Sequence, residues 1–386
     1  MEIVRLEDIC ELITDGTHQT PTYSKEGYIF LSSKNVTSRK IDWQNIKYIS
    51  EELHKELIKR VIPKKNDILL AKNGTTGVGA IVDKEIEFDI YVSLALLRPN
   101  DKILPRYLFW AVNSPAAKRK FDASLKGIGV KNLHLSAIKK IEINIYNKET
   151  QEKIIKVLDK LQKVLEERQK LLENLDLLSK CLFIKMFGDP VVDNNTNKIE
   201  LEKICKISSS KRIFEKEYVS EGIPFYRTKE IVELAKGNKI STELYISKKR
   251  YLEIKEQFEI PQENDILITA VGTIGTIWIV DNNREFYFKD GNILRISASK
   301  KFNSIYMKRL LEILIENLRK SLSTGTAYSA LTINSLKKML VKDVDLKMQD
   351  SYANKIMKIE KSKFEIQQSI DETQKLFDSL MEKYFG

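Results

Sequence analysis

Residues 62–83 read IPKKNDILLAKNGTTGVGAIVD, and residues 260–281 read IPQENDILITAVGTIGTIWIVD. Aligned without a gap, 12 of the 22 pairs are identical, among them Asn66/Asn264, Asp67/Asp265, Ile68/Ile266, Leu69/Leu267, Gly74/Gly272, Thr75/Thr273 and Gly77/Gly275. Each copy places an apolar run of strand length on either side of a glycine-rich turn. The chain therefore builds the same strand–turn–strand unit twice, 198 positions apart.

The correspondence extends outward in both directions. Leu6, Ile9, Cys10, Gly27 and Lys34 match Leu201, Ile204, Cys205, Gly222 and Lys229 at an offset of 195. Gly127, Leu133, Lys139, Lys140, Gln151 and the pair Phe187-Gly188 match Gly325, Leu331, Lys337, Lys338, Gln349 and Phe385-Gly386 at 198. A unit of this length far exceeds the roughly 20–50 residues of a solenoid repeat, so the chain is a duplicated domain and not an array.

Each copy has two parts. In the first, residues 68–71, 80–82 and 91–97 read as buried strands, and residues 105–112 and 306–318 as helices that follow them. The second part is a long helix, residues 149–187 in the first copy. Its apolar positions step by four and three through Ile154, Leu158, Leu161, Leu165, Leu172, Leu175, Leu182 and Met186, interrupted by Arg168 and Ser179. The second helix carries Tyr352, Ile356, Ile359, Ile366, Ile370, Phe377, Leu380 and Tyr384 in the same register, interrupted by Lys363 and Thr373. At 1.5 Å per residue each helix is roughly 55–60 Å long. Polar breaks at different places help fix a register, and the expectation is an antiparallel pair within one chain. Gly188-Asp189-Pro190 stops the first helix, and DNNTN at residues 193–197 reads as a polar linker.

The 386 residues carry 65 Lys and Arg against 54 Asp and Glu, a formal net charge of +11. That excess favours a polyanionic partner, nucleic acid first. No apolar run reaches about 18 residues and no signal peptide is evident, so the chain is expected to be soluble and cytoplasmic. Three cysteines without a CxxC fit a reducing compartment.

Catalytic patterns are missing. Gly74-Thr75-Thr76-Gly77 has the wrong order for a dinucleotide loop and reads as a tight turn. His18, His54 and His134 lie far apart without companions at metal-ligand spacing. There is no P-loop and no nucleophile elbow. Asp67 and Asp265 sit in Asn-Asp turns, where side-chain-to-backbone bonding accounts for them.

The informative differences lie between the matching framework segments. TDGTHQTPTYS at residues 14–24 stands against ISSSKRIFEKE at 207–217. Lys34-Asn35 stands against Lys229-Glu230 with Arg227 beside it, Lys72-Asn73 against Ala270-Val271, and KGIGVKN at 126–132 against TGTAYSA at 324–330. Lys and Arg suit guanine edges and phosphates, and Asn and Gln suit adenine edges. The candidate DNA-binding residues are therefore Thr17, His18, Gln19, Lys34, Asn35, Lys72, Asn73, Thr75, Lys126, Lys131 and Asn132 in the first copy. In the second they are Ser210, Lys211, Arg212, Arg227, Lys229, Thr269, Thr273, Thr324, Thr326 and Tyr328.

Taken together, these features resemble the specificity (S) subunits of type I restriction-modification systems. The resemblance spans the whole chain. It is carried by the duplication, by the Asn66-Asp67-Ile68-Leu69 and Gly74-Thr75-x-Gly77 framework in both copies, by Leu135-Ser136-x-Ile138 and Ile333-Asn334-x-Leu336 before each long helix, and by the Phe-Gly helix ends. It implies an α+β fold with two homologous target recognition domains, residues 1–148 and 199–346. A long antiparallel two-helix coiled coil, residues 149–188 and 347–386, would separate them, with a linker at 189–198.

It further implies a non-catalytic subunit, each recognition domain reading one half of an interrupted, asymmetric site in double-stranded DNA. The helices would set the spacing and dock two methyltransferase (M) subunits, with restriction (R) subunits joining them. S-adenosylmethionine, ATP and Mg would belong to those partners, leaving no cofactor, no metal and no membrane contact to this chain. The alternative is the recognition subunit of a methylation-only or type IIB-like system. An enzyme with fused recognition domains would need an adenine pocket or an acidic metal cluster, and a bare coiled-coil scaffold leaves the matched Lys34 and Lys229 without a role.

Overall fold

A computed structural model describes residues 1–125, 132–192, 198–281, 284–322 and 331–386. The chain packs as two compact units, one of residues 1–170 with 367–386, the other of residues 171–366. Packing thus divides both long helices between the units, whereas the sequence reading sets them apart as segments of their own.

The first unit is organised around a four-stranded antiparallel sheet in the order Cys10–Asp15, Leu94–Pro99, Ile68–Ala71, Gly79–Ile81. Ile68, Leu69 and Leu70 are all fully buried, yet they serve two cores. Ile68 and Leu70 pack with Tyr107, Trp110 and Leu158, while Leu69 packs on the other face with Leu31, Phe88 and Ile90. Alternation of side chains across a sheet covered on both faces explains why this strand reads as an unbroken apolar run. The second core is closed by a smaller sheet in the order Lys47–Ile49, Tyr28–Leu31, Phe88–Ile90. Glu2–Arg5 pairs with Glu142–Ile145.

The second unit repeats this plan. Its main sheet runs Ile207–Ser208, Ile293–Ile296, Ile266–Thr269, Ile277–Ile279. Ile266 and Ile268 enter one core with Tyr306 and Leu311, and Leu267 enters the other with Trp278 and Phe288. Both turns use left-handed glycines, Gly74 and Gly77 at φ 70° and 81°, Gly272 and Gly275 at 77° and 86°. A Cβ on Gly77 would come within 3.0 Å of Phe121, and one on Gly275 within 2.7 Å of Ile315, so close packing as well as φ demands glycine there.

Some element bounds differ from the sequence expectation. The strand expected over 91–97 is Leu94–Pro99. Tyr91 N–H is taken by Leu31 O and Val92 N–H by Thr17 O, each at 2.9 Å, and Leu94 N–H closes a turn on Tyr91 O at 2.9 Å before the strand begins. The strand expected over 80–82 is Gly79–Ile81, and the helix expected over 306–318 is Ser304–Leu322. Pro105–Val112 forms as expected, with proline in the first turn.

The long helices are Lys148–Phe187 and Leu346–Phe385. Within the first unit, Ile154 and Leu158 near the start of one share a core with Phe377, Met381 and Phe385 near the end of the other. Within the second unit, Phe183 and Phe187 share a core with Tyr352 and Ile356. In each unit the helices are thus antiparallel, and every seam position named from the sequence is buried or half-buried.

A buried glutamine ties each helix to its domain. Gln151 accepts from Leu104 N–H at 2.9 Å and donates to Lys102 O and Tyr146 O at 3.1 and 2.8 Å. Gln349, its counterpart, accepts from Asn303 N–H at 2.9 Å and donates to Val344 O at 2.8 Å. Gly188, at φ 80°, ends the first helix by donating to Ile184 O at 2.8 Å.

Candidate nucleic-acid interface

The frame holds its turns in the same way in both units. Asp67 accepts from Lys64 N–H and Asp265 from Gln262 N–H, each at 2.8 Å, which is the turn bonding read from the sequence. Each carboxylate also holds an arginine from the neighbouring strand. Arg98 reaches Asp67 at 2.9 and 2.7 Å, and Arg295 reaches Asp265 at 2.7 Å. These two arginines are largely buried and belong to the frame.

The described parts of the loops that differ between copies gather at one end of each main sheet. In the first unit, Thr17 N–H donates to Ile90 O at 3.1 Å, and Ser33 Oγ–H donates to Asn73 Oδ1 at 2.9 Å. Lys72 N–H bonds Ser93 O and Leu133 N–H bonds Lys72 O, both at 2.8 Å. The segments around residues 17, 33, 72, 91–93 and 132 are therefore neighbours. The second unit shows the same joints. Ala270 N–H bonds Asn292 O at 2.7 Å, Leu331 N–H bonds Ala270 O at 2.9 Å, and Ser210 Oγ–H bonds Phe288 O at 2.7 Å.

The expected side chains fall into two groups. His18, Gln19, Lys34, Thr75, Lys211, Arg212, Lys229 and Thr273 are exposed, and Thr17, Asn73, Asn132, Ser210 and Arg227 are half-buried. For Asn35, Lys72 and Thr269 the expectation of a solvent-facing side chain is not met. Asn35 accepts from Ser32 N–H at 3.0 Å and donates to Asn45 O at 2.9 Å, closing its own turn. Lys72 Nζ lies 2.6 Å from Asp15 Oδ2 with both groups buried. The Thr269 hydroxyl donates to Thr273 O and accepts from Thr276 N–H, closing the Gly-Thr turn. Lys126, Lys131, Thr324, Thr326 and Tyr328 lie outside the described residues.

Sequence reasoning missed Asp15 and Arg60. Arg60 Nη2 donates to Asp15 Oδ1 at 2.6 Å and its Nε to Asp15 O at 3.0 Å, so one buried carboxylate carries both Lys72 and Arg60. Burial pushes the Asp15 carboxyl up, but the hydrogen bonds from Lys72 and Arg60 outweigh it and hold it below its ordinary range. Nothing in the local pattern marks the pairing, because the partners are 45 and 57 residues away.

His54 is buried, stacked on Tyr28 at 3.6 Å and bonded through Nδ1 to Asp89 at 2.7 Å. Among the described residues no group of three His, Cys, Asp or Glu side chains is placed to hold a metal ion. No described helix is long and apolar enough to cross a membrane.

The family described as type I restriction modification DNA specificity domain matches residues 1–175 and again residues 194–374. The chain belongs to this family. The two matched stretches are the two copies of the repeat, so the specificity domain occurs twice, each with its own frame and its own loops.

Among similar proteins is a putative type I restriction enzyme specificity subunit of Haemophilus influenzae, 29% identical over 170 residues, which is 44% of this chain and 41% of that protein. The type I restriction enzyme EcoBI specificity subunit of Escherichia coli is 26% identical over 137 residues, 35% of this chain and 29% of that one. These matches span less than half the length of either relative.

The solved type I restriction-modification S subunit from M. genitalium superposes with a TM-score of 0.60 at 15% identity, covering 100% of this chain and 96% of that one. A chain from a structural study of complex assembly and conformational transition in the type I R-M system gives 0.60 at 15% identity, covering 99% and 97%. At this identity the likeness is one of fold: two specificity domains, mixed helix and sheet, with the long helices.

Proposed function

We propose that this chain is the DNA-specificity subunit of a type I restriction-modification complex, its two domains reading the two unlike halves of an interrupted double-stranded site. The observation that carries the reading is the repeated frame with gathered, non-equivalent loops. The same carboxylate–arginine pair, Gly-Thr turn and helix-locking glutamine recur, while the rims carry His18, Lys34 and Arg60 in one unit and Arg212, Arg227 and Lys229 in the other. A constant support with different basic and amide-bearing rims suits two different base sequences.

The chain itself performs no chemistry in this reading. Two methyltransferase subunits bring S-adenosylmethionine and the adenine pocket. Restriction subunits bring ATP- and Mg-dependent cleavage. The setting is the cytoplasm. The basic balance, +11 overall, favours the phosphate backbone as the non-specific part of the contact.

Single-molecule methylome sequencing of DNA from cells expressing this chain with its cognate methyltransferase subunit tests the proposal. The expected result is one interrupted, asymmetric motif carrying N6-methyladenine in both halves. A formed complex that leaves no methylated motif would overturn it.

A further inference from the structure

Among the described residues, the arginines paired with an almost fully buried carboxylate are of two kinds. The first kind is Arg98–Asp67 and Arg295–Asp265, which stand at corresponding places in the two copies, with arginine side chains only 17% and 5% exposed. They serve the frame. The second kind has no counterpart across the repeat. Arg60 is clamped by Asp15 in the first unit, and the second copy has no arginine between residues 251 and 283. Arg227 is clamped by Glu230 in the second unit, at 2.8 Å through Nη2 and 3.3 Å through Nε, and Ser32 stands in its place in the first. Both carboxylates are almost fully buried, 3% and 1% exposed, while Arg60 and Arg227 keep 47% and 35% of their side chains in solvent.

This arrangement has a specific physical consequence. A free surface arginine must surrender rotamer freedom to hold one orientation. A guanidinium with one edge fixed on a buried carboxylate has already lost that freedom on folding, and its remaining N–H groups stay in plane and exposed. Two coplanar donors match O6 and N7 of guanine in the major groove. The carboxylate also neutralises much of the charge, so such a residue is a poor generic phosphate contact and a better reader of one base edge. The neutralisation is complete for Arg227 with Glu230. The Asp15 cluster keeps one net positive charge because Lys72 shares it. Arg60 further borders a groove of about 510 Å³ together with Thr17, His18 and Gln19, part of a loop that differs between the copies.

We propose that Arg60 and Arg227 are the guanine-reading residues of the two half-sites, one in each domain. The inference rests on the DNA-reading function proposed above and assigns the bases to named side chains. Lysine at these places would keep the charge and the ion pair but lose the two-donor fork.

The test is the methylated motif obtained with the complete methyltransferase complex carrying Arg60→Lys or Arg227→Lys, each beside the unchanged complex. Arg60→Lys is expected to relax the motif at one G·C pair in one half-site and leave the other half intact, and Arg227→Lys to do the converse. A companion measurement changes the DNA instead of the protein. With 7-deazaguanine at the relaxed position, the unchanged complex should bind about tenfold or more weakly, and the lysine variant should show no further loss. Unchanged motifs in both variants would overturn the proposal, as would an even fall in methylation at every position or an equal 7-deazaguanine loss in variant and unchanged complex. If the unchanged complex gives no motif at all, the DNA-reading function itself fails, which separates the two outcomes.

Discussion

Arg168 on the first long helix donates through Nη1 to the main-chain oxygen of Ser369 on the second, at 2.9 Å, and also to the hydroxyl of Thr373. Among the described residues this cation in an apolar seam thus bonds neutral acceptors, and the antiparallel register is what brings them opposite it. The corresponding break in the second unit is solved differently: Lys363 Nζ meets Asp176 at 2.7 Å and Glu360 at 3.1 Å. The two seams therefore carry polar breaks that are not interchangeable, which is how a single polar seam position fixes register in coiled coils.

Thr373→Val is expected to lower stability by about 1–2 kcal/mol, because Arg168 loses an acceptor while staying half-buried. Combining it with Arg168→Leu should recover most of that loss, since a matched apolar pair needs no partner. Urea unfolding of the single and double variants measures this. Simple addition of the two single effects would rule out the coupling.

Gln151→Leu and Gln349→Leu should each cost about 2–4 kcal/mol. Each strands a half-buried N–H, of Leu104 or Asn303, and the carbonyls that the amide served. The similar roles predict similar losses, read by thermal unfolding. A near-neutral result for either would mean that water replaces the amide there.

Asp15 makes the first domain's stability depend on acid pH. Its pKa in the folded state lies below the ordinary 3.8, so the ion pairs with Lys72 and Arg60 stabilise fully above 3.8 and weaken as pH falls through the folded value. Asp15→Asn should cost about 3 kcal/mol at neutral pH, because it leaves the buried Lys72 without its counter-charge. The gap between unchanged and variant protein should stay level from pH 7 to about 5 and close below about 4. A gap that closes above about pH 5 would contradict the assignment.

Lys34 and Lys229 occupy matching places, both exposed. Lys34→Ala is expected to weaken DNA binding by the complex at all sequences alike and reduce the slope of log affinity against log salt by about one. A changed motif would instead make Lys34 a base reader.

The frame was legible because it is local or periodic. The Asn-Asp turns, the Gly-Thr turn and the helical seams depend on residues a few positions apart, and duplication displays each of them twice. What escaped was long-range pairing. Asp67 was read as a turn residue and is one, but its second role, holding Arg98, joins positions 31 apart in sequence. Lys72 looks like a solvated loop lysine until Asp15 is folded against it. Arg60 lies in the stretch where the alignment offset passes from 195 to 198, so no comparison between copies drew it out. The sequence marks the rim loops only as segments that differ between the copies; that their described parts come together, and which side chains face outward, depends on packing that one sequence does not encode locally.

The first unit is discontinuous: residues 367–386 complete it, and Phe377, Met381 and Phe385 fill its core beside Tyr107 and Trp110. During synthesis these residues emerge only after all of residues 171–366 have been translated, about 10–40 s later at 5–20 residues per second. Over that interval the nascent first domain must present an unfilled apolar flank on its half-helix. The last-made helix thus completes the first-made domain, and premature termination near residue 366 is expected to destabilise the domain made first.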